Sequence, residues 1–191
     1  MIEHEPSQAS DESLLATFIK GDNSALASLA ARHEAGMYGL ACGLLNGRTD
    51  LAKDAVQDAW VRVIRYGATF DARSSFKTWI YRIVINRCHD LRAAERSGPA
   101  SFRLFSGSAP PEPSAPPPPA PFQSDEIREE VRSAVRSLPA ASQLIVLLCY
   151  HRDFTHDEAA SVLGIPVGTL KSRLHAALEA LRGSLQKERS A

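Results

Sequence analysis

Apolar residues recur at steps of three and four along most of the chain, and no segment alternates convincingly with the period of two that a half-buried strand needs. That pattern predicts an all-α protein. "DESLLATFIKGD" and "NSALASLAARHEAGMYGLACGLLN" read as two helices split near Gly21 to Asn23. Gly47 stops the second, and Asp50 opens a third that runs to about Tyr66. Ala52, Val56, Ala59, Trp60, Val63 and Ile64 form its apolar stripe. Ser74 or Ser75 can cap a fourth helix, from Phe76 to about Glu95, buried through Phe76, Trp79, Ile80, Ile83, Val84 and Leu91.

The periodicity then stops. Nine of the twelve prolines lie between Pro99 and Pro121, including the run "APPPPAP" at 115–121. Residues 97–124 therefore read as an extended, flexible linker. At polyproline geometry it could span up to roughly 85 Å. Two small helical domains are expected on either side, 10–96 and 125–187.

In the second domain, Ile127, Val131, Ala134, Val135 and Leu138 mark a helix ended by Pro139. "ASQLIVLLCYH" is apolar nearly all round and so should be central. Next come "THDEAASVLG" and "IPVGTLKSRLHAALEAL". Thr155 with Glu158 three residues on is a capping-box signature, Gly164 suits a helix end, and Pro166 suits the start of the next helix. Two short helices around a tight glycine turn, set on an apolar third, make a helix-turn-helix pattern.

Composition changes this picture little; charge distribution changes it more. Lys plus Arg equals Asp plus Glu at 22 each. Residues 1–60 nevertheless carry 4 basic and 9 acidic side chains, against 6 and 2 over 73–96. Residues 125–165 carry 4 and 7, against 5 and 2 over 166–191. Each half runs from acidic to basic, which points to two polyanion-facing patches.

The last helix places Leu170, Leu174, Ala177, Leu178, Leu181 and Leu185 on one side. Gly168, Lys171, Ser172 and His175 lie opposite, with Thr169 and Arg173 flanking, as major-groove entry requires. On the fourth helix Arg82, Asn86, His89, Arg92 and Arg96 form a second basic stripe, and Tyr81 is the better candidate there for stacking on an unpaired base. Phe76 and Trp79 sit on the apolar stripe and read as core. The third helix lines up Asp54, Gln57, Asp58, Val61 and Arg65 opposite Trp60. Carboxylates repel phosphate, so this face should meet a protein or solvent.

Catalytic signals are lacking: there is no P-loop, no GxSxG and no paired-carboxylate site. No cofactor or metal is expected, since Cys149, His151 and His156 lack zinc-ligand spacing. Cys42, Cys88 and Cys149 are too few and odd in number for a disulfide framework, and "MIEHEPSQASDE" has no apolar signal segment, so a cytoplasmic chain without membrane insertion is expected.

Together "DLAKDAVQDAWVRVIR", "SSFKTWIYRIVINRCHDLRAAER", "LPAASQLIVLLCY" and "LGIPVGTLKSRLHAALEALR" resemble bacterial sigma factors of the extracytoplasmic-function (ECF) group. The resemblance implies a non-enzymatic protein that binds core RNA polymerase and directs it to promoter DNA, controlled by an anti-sigma factor. It assigns Asp54, Gln57, Asp58 and Val61 to core-polymerase binding. It assigns Phe70, Arg73, Ser74, Arg82, Asn86, Arg87 and Asp90 to reading and melting the minus-ten element. Thr169, Lys171, Ser172, Arg173 and His175 fall to the minus-thirty-five element. Where the family usually continues "SRLHRAR", this chain has "SRLHAALEA", two basic residues fewer. A protein-interaction module and an autonomous DNA-binding regulator remain as alternatives at this point.

Overall fold

The structure is a computed structural model, and it describes residues 9–96, 122–150 and 154–188. Eight helices are present among the described residues, and no strand: α1 (Asp11–Ile19), α2 (Asn23–Leu44), α3 (Thr49–Tyr66), α4 (Phe76–Arg96), α5 (Phe122–Ser137), α6 (Ala140–Tyr150), α7 (His156–Leu163) and α8 (Val167–Glu188). A 3-10 turn, Gly67–Thr69, joins α3 to the loop before α4.

Local chemistry sets the boundaries in the first half. Ser10 caps α1 by accepting from the Ser13 amide at 3.2 Å, and Asp22 caps α2 by accepting from Ser24 N at 2.9 Å. Gly47, at φ 84, turns the chain after α2 while its amide reaches the Cys42 carbonyl at 2.8 Å. Of the two serines offered as the α4 cap, Ser75 fills the role, accepting from Thr78 N at 3.1 Å. The Phe76 amide is free of helical partners and donates to Glu12 Oε1 at 2.9 Å, which ties the start of α4 to α1. His33, buried on α2, lies 2.6 Å from Asp11 Oδ2 and against the Phe76 and Tyr81 rings.

The second half follows its expected plan. Helix α6 buries Gln143, Leu144, Ile145, Val146 and Leu148 beneath α5, α7 and α8. A full capping box opens α7, and Gly164 closes it at φ 66, in the left-handed region that favours glycine.

Four expectations need correction. Ile64 is 55 % exposed, because about 100° of helical rotation separates it from Val63 and no element among the described residues covers that edge. Ile127 and Val131 are exposed too, since α5 is covered chiefly through Ala134, Val135 and Leu138 nearer its end. Tyr81 is 1 % exposed, its ring edge-on to Phe154 at 4.7 Å, so it is core and not a stacking platform. Helix α5 starts at Phe122, inside the expected linker of 97–124; the rest of that linker, 97–121, lies outside the described residues, as does His151.

The two halves are packed together rather than separate. Helix α4 lies against α7 and α2 against α6, and one hydrophobic core runs from Leu15 through Ile80 and Leu148 to Ala177.

Candidate nucleic-acid and polymerase interfaces

The helix-turn-helix rests on the α7 capping box. Thr155 Oγ1 accepts from Glu158 N at 3.2 Å, while Glu158 Oε2 accepts from Thr155 N at 2.7 Å and from its hydroxyl at 3.0 Å. Burial pushes the Glu158 carboxyl upward, but the Thr155 amide, Lys77 and the Thr155 hydroxyl together outweigh it and hold the group below its ordinary value. After Gly164, the Ile165 amide returns to the Ala160 carbonyl at 3.1 Å, and Leu170 N bonds Pro166 O at 3.0 Å as α8 begins.

Helix α8 anchors itself through Leu170, Leu174 and Ala177, all buried. Lys171, Ser172, Arg173 and His175 are exposed on the other side, and Thr169 is half-buried at its edge. The Ser172 hydroxyl donates to the Thr169 carbonyl at 3.0 Å, which keeps it on the helix surface. Open space surrounds Gly168, so a backbone or base edge can approach the first turn closely. The structure thus brings all five predicted recognition residues to one end of one helix. One turn beyond His175, Glu179 is paired with Arg182 at 2.5 Å.

On α3, Asp54 and Gln57 are exposed and Asp58 and Val61 half-buried. Asp58 is already engaged: its carboxylate meets Arg87 Nε of α4 at 2.5 Å. A residue predicted for the polymerase face therefore positions one predicted for the minus-ten face.

The loop before α4 carries Phe70, half-buried against Trp79 at 5.4 Å and Phe76 at 6.4 Å between ring centroids. Ser74 is half-buried. Arg73 is 89 % exposed at its side chain and pairs with Asp71 at 2.9 Å across Ala72, whose φ of 55 is unusual for a residue with a Cβ. Asn86 and Asp90 are exposed, one turn apart on α4. Arg82, however, turns into the second half, its Nε donating to the Val162 carbonyl at 3.1 Å and its Nη2 to that of Ser161. Arg92 likewise donates to Leu44 O at 3.2 Å and Gln143 Oε1 at 3.3 Å. The basic stripe on α4 is thus divided between an open stretch and an occupied one.

Sequence reasoning missed Gln143, Gly43 and Phe154, which join the halves. The available signal was a lone amide in the apolar run of α6; nothing in helical periodicity marks a contact made 100 residues away. Burial pushes the Cys88 thiol up to about 12, which makes it a core residue with little thiolate. Among the described residues no group of three or more His, Cys, Asp or Glu could hold a metal ion, and no helix is long and apolar enough to cross a membrane.

Comparison with known proteins agrees with this layout. A model for sigma-70 region 2 matches residues 29–97, and one for sigma-70 region 4 matches residues 128–181. The chain is 29 % identical over 181 residues to ECF RNA polymerase sigma factor SigW of Bacillus subtilis, covering 87 % of this chain and 92 % of SigW. It is 28 % identical over 187 residues to the ECF RNA polymerase sigma-E factor of Escherichia coli K12, covering 94 % and 96 %. Its fold is similar to that of CnrH in complex with the cytosolic domain of CnrY, with a TM-score of 0.70 at 24 % identity over 94 % of this chain and 99 % of that one. The sigma factor RpoE of Bartonella quintana, in complex with the anti-sigma factor NepR, gives 0.61 at 23 % identity over 84 % and 96 %. With sigma-70 regions 2 and 4 both matched, in order, and ECF sigma factors aligned over most of its length, the chain belongs to the ECF group of the sigma-70 family.

Proposed function

We propose that this protein is a transcription initiation factor that binds core RNA polymerase and directs it to promoters carrying two separate elements. The single observation that carries this reading is the end of α8, where Thr169, Lys171, Ser172, Arg173 and His175 share a solvent-facing surface behind a capped and glycine-closed turn. That surface supports reading a minus-thirty-five element in the major groove. Asp54, Gln57, Asp58 and Val61 on α3 form the polymerase-docking face. Phe70, Arg73 and Ser74 in the loop, with Arg82, Asn86, Arg87 and Asp90 on α4, take the minus-ten element. Stacking and phosphate contacts there offset part of the cost of unpairing bases.

The chain performs no covalent chemistry, needs no cofactor and works in the cytoplasm. An anti-sigma factor controls it, a role supported by the anti-sigma complex of its structural relative from Bartonella quintana. The test is reconstitution with core polymerase and run-off transcription from a promoter library. Changing Asp54 and Gln57 to Arg should abolish co-elution with polymerase while leaving the fold intact, because both side chains are exposed. Retained co-elution would remove α3 from the docking surface.

A further inference from the structure

The arginines of α4 are held in different ways. Arg82 and Arg92 engage carbonyls and an amide of this chain through their guanidinium groups. Arg87 makes its ion pair through Nε, 2.5 Å from Asp58 Oδ2 of α3. That Nε is buried, while the Arg87 side chain as a whole stays 32 % exposed. With Nε covered, the edge left to a ligand is the fork of Nη1 and Nη2. Such a fork grips a phosphate, or the O6 and N7 atoms of guanine, by two parallel hydrogen bonds. Asn86 is exposed beside Arg87, and Asp90 lies one turn further along α4.

Asp58 stands on the border of two surfaces. Asp54 and Gln57 on the same helix are exposed, whereas Asp58 is half-buried with its carboxylate against α4. Two effects of that carboxylate on DNA binding have opposite signs. Its charge repels phosphate and offsets the charge of Arg87, which weakens binding. Its contact restrains a long side chain, so less rotamer freedom is lost when DNA is gripped. The geometry favours the second effect. A phosphate on the Nη fork has the guanidinium between itself and Asp58, so it is attracted at shorter range than it is repelled.

We infer that Asp58 is a positioning residue for promoter contact: by holding Arg87 through Nε, it sets the Nη fork toward the minus-ten element. The inference rests on the proposed function. It adds that one carboxylate of the polymerase-docking face acts on the DNA face through Arg87, so the two surfaces share a residue pair.

The test uses the full chain with core polymerase, at protein concentrations that saturate the polymerase and so overcome any weaker docking. A promoter recovered by run-off selection supplies two labelled duplexes, one carrying both elements and one ending upstream of the minus-ten element. Asp58→Ala should weaken binding to the first by about fivefold, in the lower part of the range for residues in contact, and leave the second unchanged. Arg87→Ala should also weaken binding to the first, and adding Asp58→Ala to it should bring no further loss. Asp58→Glu keeps the carboxylate at a half-exposed position and should recover most of the affinity. In the free protein, NMR should show the Arg87 Nε proton exchanging slowly with water, its signal assigned by its absence from Arg87→Ala. Asp58→Ala should speed that exchange.

Equal or tighter binding of the two-element duplex by Asp58→Ala would mean that repulsion outweighs positioning, and would overturn the inference. So would an equal loss on both duplexes, which marks a docking or folding role, or a loss that persists on top of Arg87→Ala. Fast exchange of the wild-type Arg87 Nε proton would remove the ion pair itself. Circular dichroism reports folding; alanine favours a helix, and should that variant not fold, the near-isosteric Asp58→Asn is read the same way. Recovery of no promoter with the wild type would instead remove the sigma-factor reading, and the positioning role with it, even where Nε exchange is slow.

Discussion

Thr155→Ala tests whether the helix-turn-helix is held by its capping box. The substitution removes the acceptor of the Glu158 amide bond at 3.2 Å and the hydroxyl donor to Glu158 Oε2 at 3.0 Å. It leaves the backbone bond from Thr155 N to Glu158 Oε2 at 2.7 Å in place. Loss of a threonine cap of this kind costs about 1 kcal/mol. How far the melting temperature moves depends on what unfolds with α7. The core is continuous across both halves, so the chain should melt as one unit and lose about 2–4 °C. A second half melting alone would lose about 4–8 °C for the same free energy. Differential scanning calorimetry of wild type and variant gives both the shift and the number of transitions. A fall within the smaller range, in a single transition, is expected. An unchanged melting temperature would refute the capping argument, and two separate transitions would refute the cooperative coupling of the halves.

Glu158→Gln should destabilise the protein near neutral pH, because the folded state holds this carboxyl below its ordinary value. A depressed carboxyl contributes stability above its unfolded value and loses it as pH falls through the folded one, so the gap to wild type should close in acid, below the ordinary carboxylate range; a gap independent of pH would contradict the assignment. Replacing both Lys171 and Arg173 with Ala should lower the slope of log K against log salt by about 1.8 on duplex promoter DNA. Both side chains are exposed, so stability should stay within about 0.5 kcal/mol, and an unchanged slope would show that neither contacts phosphate.

Much of the fold was legible because its signals are local. The α2–α3 boundary at Gly47, the α7 capping box and the left-handed Gly164 are each decided by residues within one turn of the break. The same holds for the recognition face of α8, where helical periodicity alone separates Leu170, Leu174 and Ala177 from Lys171, Ser172 and His175. What failed did so for a physical reason. Ile64, Ile127 and Val131 satisfy the apolar pattern of their helices, yet burial also needs a neighbour, and periodicity cannot say which turns have one.

Tyr81 shows the opposite error. It stands beside the polar stripe of α4, but Phe154 arrives from 73 positions along the chain and covers it. The proline-rich linker leaves room for well-separated halves, yet α4 and α7 are in contact. Prolines fix how far a tether can reach, not whether the domains it joins stay separated. Basic residues carried the same ambiguity: Arg82 and Arg92 match a nucleic-acid stripe by spacing, and both are held by carbonyls and an amide of this chain. In the proposed function, the two basic residues missing after His175 would leave α8 with fewer phosphate contacts, and docking on polymerase through α3 would be the more important anchor.

The most direct measurement is run-off transcription by core RNA polymerase, with and without this protein, on a pooled promoter library. Transcripts that depend on the protein, and whose templates share two upstream motifs at a fixed spacing, are the predicted result. Stable co-elution with polymerase but no protein-dependent transcripts, from a chain shown to be folded, would contradict its role as an initiation factor.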